Sequence, residues 1–207
     1  MPDNTTTTTT QGYFTGILDV YVAMMATADS SSAAPTYGTP AVLGKSIEVT
    51  ITPQYKEGQL YASNRMVRSK KIINHYDIKF NADVISPENL KLILNRSADS
   101  NGVQVLDGDS NPPECAVGLC RTKDTGGKEY WWLYRCKFWE PTVSGKTDTD
   151  KIEYQTPTIE GRADRRIYDN KLGMVADSED SGITASVLTG WFSSVYEAAT
   201  ASSSSTT

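Results

Sequence analysis

KEYWWLYRCKFWEP, residues 128–141, holds three of the four tryptophans of the chain and alternates like a strand. With a period of two, Tyr130, Trp132, Tyr134, Cys136 and Phe138 share one face, which is wholly apolar. Trp131, Leu133, Arg135, Lys137 and Trp139 share the other, which is mixed. Aromatic and branched side chains suit a pleated, half-buried surface. The preceding Asp124-Thr125-Gly126-Gly127 supplies the positive-φ positions of a tight hairpin. The stretch therefore predicts a central strand of an antiparallel sheet, paired through that turn with residues 115–122.

Working outward, the segment from Gly12 predicts a first, mostly buried strand, with Leu18, Val20, Val22 and Met24 on one face and Ile17, Asp19, Tyr21, Ala23 and Met25 on the other. Residues 30–39, rich in Ser, Ala, Pro and Gly, predict a loop. Ile47, Val49 and Ile51 then alternate with Ser46, Glu48, Thr50 and Thr52, the pattern of a sheet with one wet face. Residues 53–71, PQYKEGQLYASNRMVRSKK, break the alternation and gather five Lys or Arg. They read as a long hairpin loop, longer than compact domains use without a functional reason. The partner strand follows: Ile72, Asn74, Tyr76, Ile78, Phe80, Ala82 and Val84 face one way, and Ile73, His75, Asp77, Lys79, Asn81 and Asp83 the other.

Ser86-Pro87-Glu88 combines an N-cap, a first-turn proline and an acid at the positive end of the macrodipole, so a helix of about ten residues is expected, burying Leu90, Ile93 and Leu94. After a polar loop at 144–151, residues 152–161 predict a short edge strand marked by Pro157, and residues 162–168 a further strand. An acidic linker at 177–182 leads to a C-terminal amphipathic helix, with Ile183, Val187, Trp191 and Val195 in one column and Leu188, Phe192 and Tyr196 in the next. Gly190 inside it costs about 1 kcal/mol relative to Ala.

The 207 residues suit one domain, residues 12–199, between polar low-complexity ends at 1–11 and 200–207 that cannot bury enough to offset their chain entropy. A net charge of −5 argues against a dedicated nucleic-acid binder. No run of eighteen apolar residues predicts membrane insertion, and MPDNTTTTTT lacks the basic and apolar regions of a secretory signal, so synthesis in a cytoplasm is expected. Cys115, Cys120 and Cys136 are odd in number and lack metal spacing; they read as small buried hydrophobes.

Candidate chemistry is thin. His75, the one histidine, could form a nucleophilic pair with a cysteine, as in a small hydrolase, but reads better as a polar-face strand residue. Asp107 and Asp109 lack the further oxygen ligands of a calcium loop and read as a turn. No catalytic, metal or cofactor site is expected.

In series, the residues resemble the phage major tail proteins of the phi13 type, which belong to the tail tube proteins of long-tailed phages. The resemblance runs from about Tyr21 to Tyr196. It rests on YVAMMA at 21–26, Tyr37-Gly38-Thr39-Pro40, IEVTITP at 47–53, Leu60-Tyr61-Ala62, Ser86-Pro87-Glu88, the approach to the hairpin at 113–118, YWWLYRCKFWEP, YQTPTIEG at 154–161 and Trp191-Phe192. Where the family favours acidic residues after Tyr61-Ala62, this chain has Ser63-Asn64.

The resemblance implies a mainly β, α+β fold: an antiparallel β-sandwich or barrel-like protomer with a flanking helix and a long hairpin loop. It also implies a structural virion protein without enzymatic activity, made in the bacterial cytoplasm and resident in the tail. Its hexameric rings would stack into a tube for genome delivery, with tail tip, tape measure and tail terminator proteins as partners and double-stranded DNA passing without tight binding. Another β-rich virion or pilus-like module is the alternative reading. Tyr55, Leu60, Tyr61 and Met66 are expected to anchor the long loop on a neighbouring subunit. A passing genome requires a wall that is neutral or acidic, because a basic one would hold phosphates. Glu48, Thr50, Asp77, Lys79, Asn81 and Asp83, on the wet face of the hairpin, are therefore the lumen-facing candidates; alternation says which side is wet and not which water it meets.

Overall fold

A computed structural model of the chain describes residues 11–62, 65–109, 111–143, 145–147 and 154–198. Nearly all of the expected polar ends, Ser63-Asn64, most of the loop at 144–151 and the first residues of the expected strand at 152–161 lie outside the described residues. The elements in order are β1 (Phe14–Ile17), β2 (Val20–Thr27), β3 (Thr36–Tyr37), β4 (Ala41–Gly44), β5 (Ser46–Ala62), β6 (Arg65–Ala82), α1 (Pro87–Leu94), β7 (Cys115–Lys123), β8 (Lys128–Phe138), β9 (Thr158–Asp164), β10 (Gly173–Asp177) and α2 (Ala185–Thr189). The fold is mainly β, as expected, but the ten strands form one open antiparallel sheet rather than a closed barrel or a two-sheet sandwich.

β8 is the central strand. Its hairpin with β7 turns through Gly126, at φ +84°, a conformation that only glycine adopts without strain. β7 covers one edge of β8; the other edge is covered first by β10, opposite residues 129–133, and then by β9, opposite residues 135–138. The changeover coincides with a bulge, since Tyr134 and Arg135 together stand opposite Ala116 alone. This corrects the single apolar face expected for the strand. Tyr130, Trp132 and Tyr134 pack into one core with Ala23, Ala116, Ala176 and Trp191. Cys136 and Phe138 are switched to the opposite side, where Trp131 and Leu133 already lie, in a core with Val20, Val22, Ile78, Phe80, Val117, Ile159 and Ala163.

The first expected strand is likewise broken. Both β1 and β2 pair with β7, but the chain bulges between Ile17 and Tyr21. Ile17 joins the core of Val20 and Val22, and Leu18 is left exposed.

β5 and β6 pair as expected, over more of the chain than expected: residues 53–62 and 65–71 of the predicted loop continue the hairpin strands. β9 pairs with both β6 and β8, so it is an interior strand and not an edge. Pro157 stands just before it, where its carbonyl accepts from Ala82 N, and residues 162–164 belong to this same strand. β5, bonded only to β6, ends the sheet on this side, and it carries the edge-type proline, Pro53. β3 falls inside the expected loop at 30–39, where Thr36 and Tyr37 pair with the end of β2; the short strands β4 and β10 had no separate expectation.

Ser86 caps α1 by accepting from Asn89 N at 3.1 Å, and Asn95 closes it in the left-handed conformation. Ile93 and Leu94 are buried in the larger core, Leu90 at its margin. The C-terminal helix is shorter than its apolar stripe suggested. α2 ends at Thr189 with Gly190 as C-cap, and residues 191–194 continue in turns. The stripe nevertheless packs: Ile183, Val187, Leu188, Phe192, Val195 and Tyr196 surround Trp191 on the smaller core. The three cysteines are buried free thiols, in keeping with their reading as small hydrophobes.

Candidate assembly surfaces

Two surfaces follow from the β5–β6 hairpin. The first is its outer half. β9 accompanies β6 only as far as His75, opposite Asp164; beyond it β5 and β6 have no third strand. Eight residue pairs, from Tyr55↔Ile73 to Ala62↔Arg65, form a two-stranded arm, about 25 Å long at the usual rise. A bulge at Asn74, whose amide contacts His75 Nδ1 at 2.9 Å, separates arm from body, and a second lies at Val67.

These bulges decide which side chains share a side. Tyr55, Glu57, Gln59, Tyr61 and Met66 lie on one, where Lys71 sits over the Tyr55 ring at 4.6 Å and Tyr61 donates to Gln59. Lys56, Leu60, Arg65, Arg68, Lys70 and Ile72 lie on the other. The expected anchors are therefore split: Tyr55, Tyr61 and Met66 together, Leu60 among the cations. All four are more than half exposed. Among the described residues none of Lys56, Arg65, Arg68 and Lys70 has a carboxylate partner. Residues 53–73 carry five Lys or Arg and one Glu, net +4, in a chain of −5, so the remainder stands at −9. The concentration of charge was legible in the sequence; its confinement to one side, set by two bulges, was not.

The second surface is the polar face of the body. Successive rows across β5, β6 and β9 read Glu48, Asn81, Thr158; Thr50, Lys79, Glu160; Thr52, Asp77, Arg162; Gln54, His75, Asp164. β8 extends the last two rows with Lys137 and Arg135. Thr50, Asp77 and Lys79 share this face as expected, lining an open hollow of ≈ 550 Å³ that Trp139 and Glu160 also line. Glu48 and Asn81 stand at its end. Asp83 lies beyond the last residue of β6, where its carboxylate accepts from Lys45 N and Val84 N at 3.2 and 2.6 Å.

Here the cations are neutralised. Lys79 pairs with Glu160 at 3.7 Å, Arg162 with Asp164 at 3.1 Å, and Arg135 and Lys137 with Glu114 at 2.9 and 3.9 Å. Asp77 accepts from Gln54 at 2.6 Å and lies 3.3 Å from His75 Nε2. His75 shares this face, whereas Cys136, opposite Ala163, points into the core behind it. The candidate nucleophile pair is thus not assembled between them. Asp109 N donates to Asp107 at 3.1 Å in a plain turn, and among the described residues no group of three His, Cys, Asp or Glu is arranged to hold a metal.

The bulge at Ile47 revises one end of this face. Ser46 pairs with Ala82 and Glu48 with Asn81, so Ile47 is the extra residue; it is 54% exposed instead of facing the core with Val49 and Ile51. Ser46 turns inward, and its hydroxyl is buried without a hydrogen-bond partner, at a cost of about 1–3 kcal/mol.

No protein-family model matches the chain, and no characterised protein matches it in sequence.

Proposed function

We propose that this chain is a major tail tube subunit of a long-tailed phage, polymerising into stacked hexameric rings whose channel delivers the genome. The observation that carries the reading is the arm: a two-stranded ribbon, exposed from Lys56 to Tyr61 and from Arg65 to Ile72, cationic and apolar at once and held out from the body. Ordering such a ribbon costs roughly 1–2 kcal/mol per residue in backbone entropy, which burial against another subunit offsets. The free edge of β5 supports the same reading. Along its 17 residues the backbone donors and acceptors that point away from β6, those of about every second residue, invite pairing with another chain, and ring closure is one way to limit it. The sequence resemblance supplies the class of assembly.

Within the tube, the polar face around Thr50, Asp77 and Lys79 lines the channel, with Glu48, Asn81 and Asp83 at the rim where successive rings meet. Its paired charges offer phosphates no free cation, as a passing duplex requires. The arm leaves this wall, because its unpaired Lys and Arg would hold the genome there. The subunit works in the virion tail beside tail tip, tape measure and terminator proteins.

Sedimentation and negative-stain microscopy of the purified chain test the assembly. Rings or tubes are expected; a monomer at every concentration, with no tube even when tail-tip partners are added, overturns it. Thr50→Lys with Asp77→Lys tests the wall: slower genome delivery from intact tubes is expected, and unchanged delivery removes this face from the channel.

A further inference from the structure

We propose that the two ends of the β5–β6 hairpin are the halves of one contact between successive copies of this chain, the basic arm of one copy docking on an acidic, apolar-centred patch at the hairpin base of the next. The proposal rests on the tube reading above and names the surface that receives the arm.

The base patch is assembled by local bonding. Lys45 O accepts from Asp83 N at 3.1 Å, joining the start of β5 to the end of β6. The Asn89 side chain donates to the Val42 and Leu43 carbonyls at 3.2 and 2.8 Å, fixing the first turn of α1, with Glu88, beside β4. Val42, Ile47 and Val84 stand 42, 54 and 64% exposed at this one end. Ile47 is there because the bulge expels it, and Val84 because β6 stops at Ala82. A lone exposed apolar residue needs no explanation; three gathered at one corner are the centre of an interaction site. Glu48, Asp83 and Glu88 surround them, none with a cationic side-chain partner among the described residues, against Lys45 and Lys91 as the nearby cations.

The arm carries the complement: exposed Leu60 and Ile72 set among Lys56, Arg65, Arg68 and Lys70, without an acid on that side. Cations meeting unpaired carboxylates around an apolar centre is the arrangement that steers and registers an interface. The two surfaces cannot meet within one molecule, since the arm residues lie 8 to 14 positions along the hairpin from Glu48, about 25–45 Å away. A contact between different patches on identical copies is heterologous, and one that does not close on itself extends as an open stack. That is the symmetry required along the axis of a tube.

Charge reversal at each end is the test, with assembly followed by sedimentation and microscopy. Arg68→Glu with Lys70→Glu on the arm, or Glu48→Lys with Glu88→Lys at the base, is expected to raise the concentration needed for stacking about tenfold or more. A chain carrying all four changes is expected to recover much of that loss. All four positions are exposed, and thermal melting of each monomer checks that the fold survives. In parallel, Leu60→Cys and Val84→Cys chains, mixed after separate purification, are expected to form disulfide-linked dimers that neither forms alone. Wild-type tubes that are indifferent to reversal at either end, or reversals that do not rescue one another, overturn this contact and leave the tube reading intact. A wild-type chain that never assembles overturns both.

Discussion

Trp132 donates its indole N–H to the backbone oxygen of Trp191 at 2.9 Å, with both side chains sealed from water. The bond ties the middle of the central strand to a segment that has already left helical geometry, so packing rather than helix propensity holds residues 190–198 in place. Tyr134 repeats the arrangement, donating to Tyr196 O at 2.7 Å. Trp191 and Tyr196 stack at 4.8 Å, and Arg166 lies over the Tyr134 ring while bonding Asp169 and Glu197. Burial disfavours the Arg166 charge, but those two carboxylates outweigh it and hold the guanidinium above its ordinary range.

Trp191→Ala is expected to destabilise the chain by roughly 3–5 kcal/mol, because it empties the smaller core, while the backbone oxygen that accepts from Trp132 is retained. Urea denaturation measures this. A loss below about 1 kcal/mol would mean that the C-terminal segment does not seal that core.

Replacing residues 56–72 by a two-residue turn removes the arm beyond the Tyr55↔Ile73 pair. The body touches none of that ribbon through a third strand, so the melting temperature is expected to stay nearly unchanged while assembly is lost. Tubes of normal appearance from the shortened chain would exclude the arm from assembly.

Acid is expected to loosen the N-terminal edge. Glu179 bonds Lys123 Nζ at 2.7 Å, the Thr125 hydroxyl, and Gly12 N at 3.2 Å. Lys123 foremost, then Thr125 and Gly12, lower its carboxyl from 4.5 to about 2. A carboxylate depressed in the folded state contributes stability that is present above the ordinary value and lost as pH falls from 4.5 toward about 2. Amide exchange at residues 12–17 should therefore quicken over that window, and Glu179→Gln should show the acid-end exchange already at neutral pH. Exchange independent of pH, after correction for intrinsic rates, would refute the latch.

The thiols are expected to be silent in the native protein. Burial pushes Cys115 up to about 12 and Cys120 up to about 11, and holds Cys136 well above its usual value. The thiolate is the reactive form, so an aromatic disulfide reagent at pH 8 should label none of them until denaturant is added, and then all three. Prompt labelling of the folded chain would contradict this.

Much of the fold was legible where local signals agree. Asp124-Thr125-Gly126-Gly127 announced the β7–β8 turn, Ser86-Pro87 announced α1, and the opposed alternations around Val49 and Ile78 announced the β5–β6 pairing. What was not legible depends on single extra residues. Ile47, Asn74, Val67 and the Tyr134–Arg135 pair each shift the alternation without leaving a mark in composition, because a bulge is chosen by the neighbouring strand. The apolar stripe at 183–196 forecast burial correctly and geometry incorrectly, since the contacts that make Trp191 and Phe192 useful do not require a continuous helix. Pro157 was misleading because a proline just before a strand and one within an edge strand have the same sequence signature. The arm's cations were visible as a count; the two-sidedness that gives them a use was not.

The bulge in β8 also makes that strand one residue richer than its pleat needs. Arg135 is the spare. Its side chain holds Glu114 and the Arg165 carbonyl at 3.0 and 3.2 Å, stitching neighbouring segments instead of filling either core. Remove it, and simple alternation from Tyr134 still sends Cys136 and Phe138 inward to the core they now occupy. A lineage of such chains can therefore shorten its central strand at that codon while keeping every apolar residue on its present side, whereas losing Leu133, one step before the bulge, would pull Trp131 and Trp132 out of phase with the partners they bury.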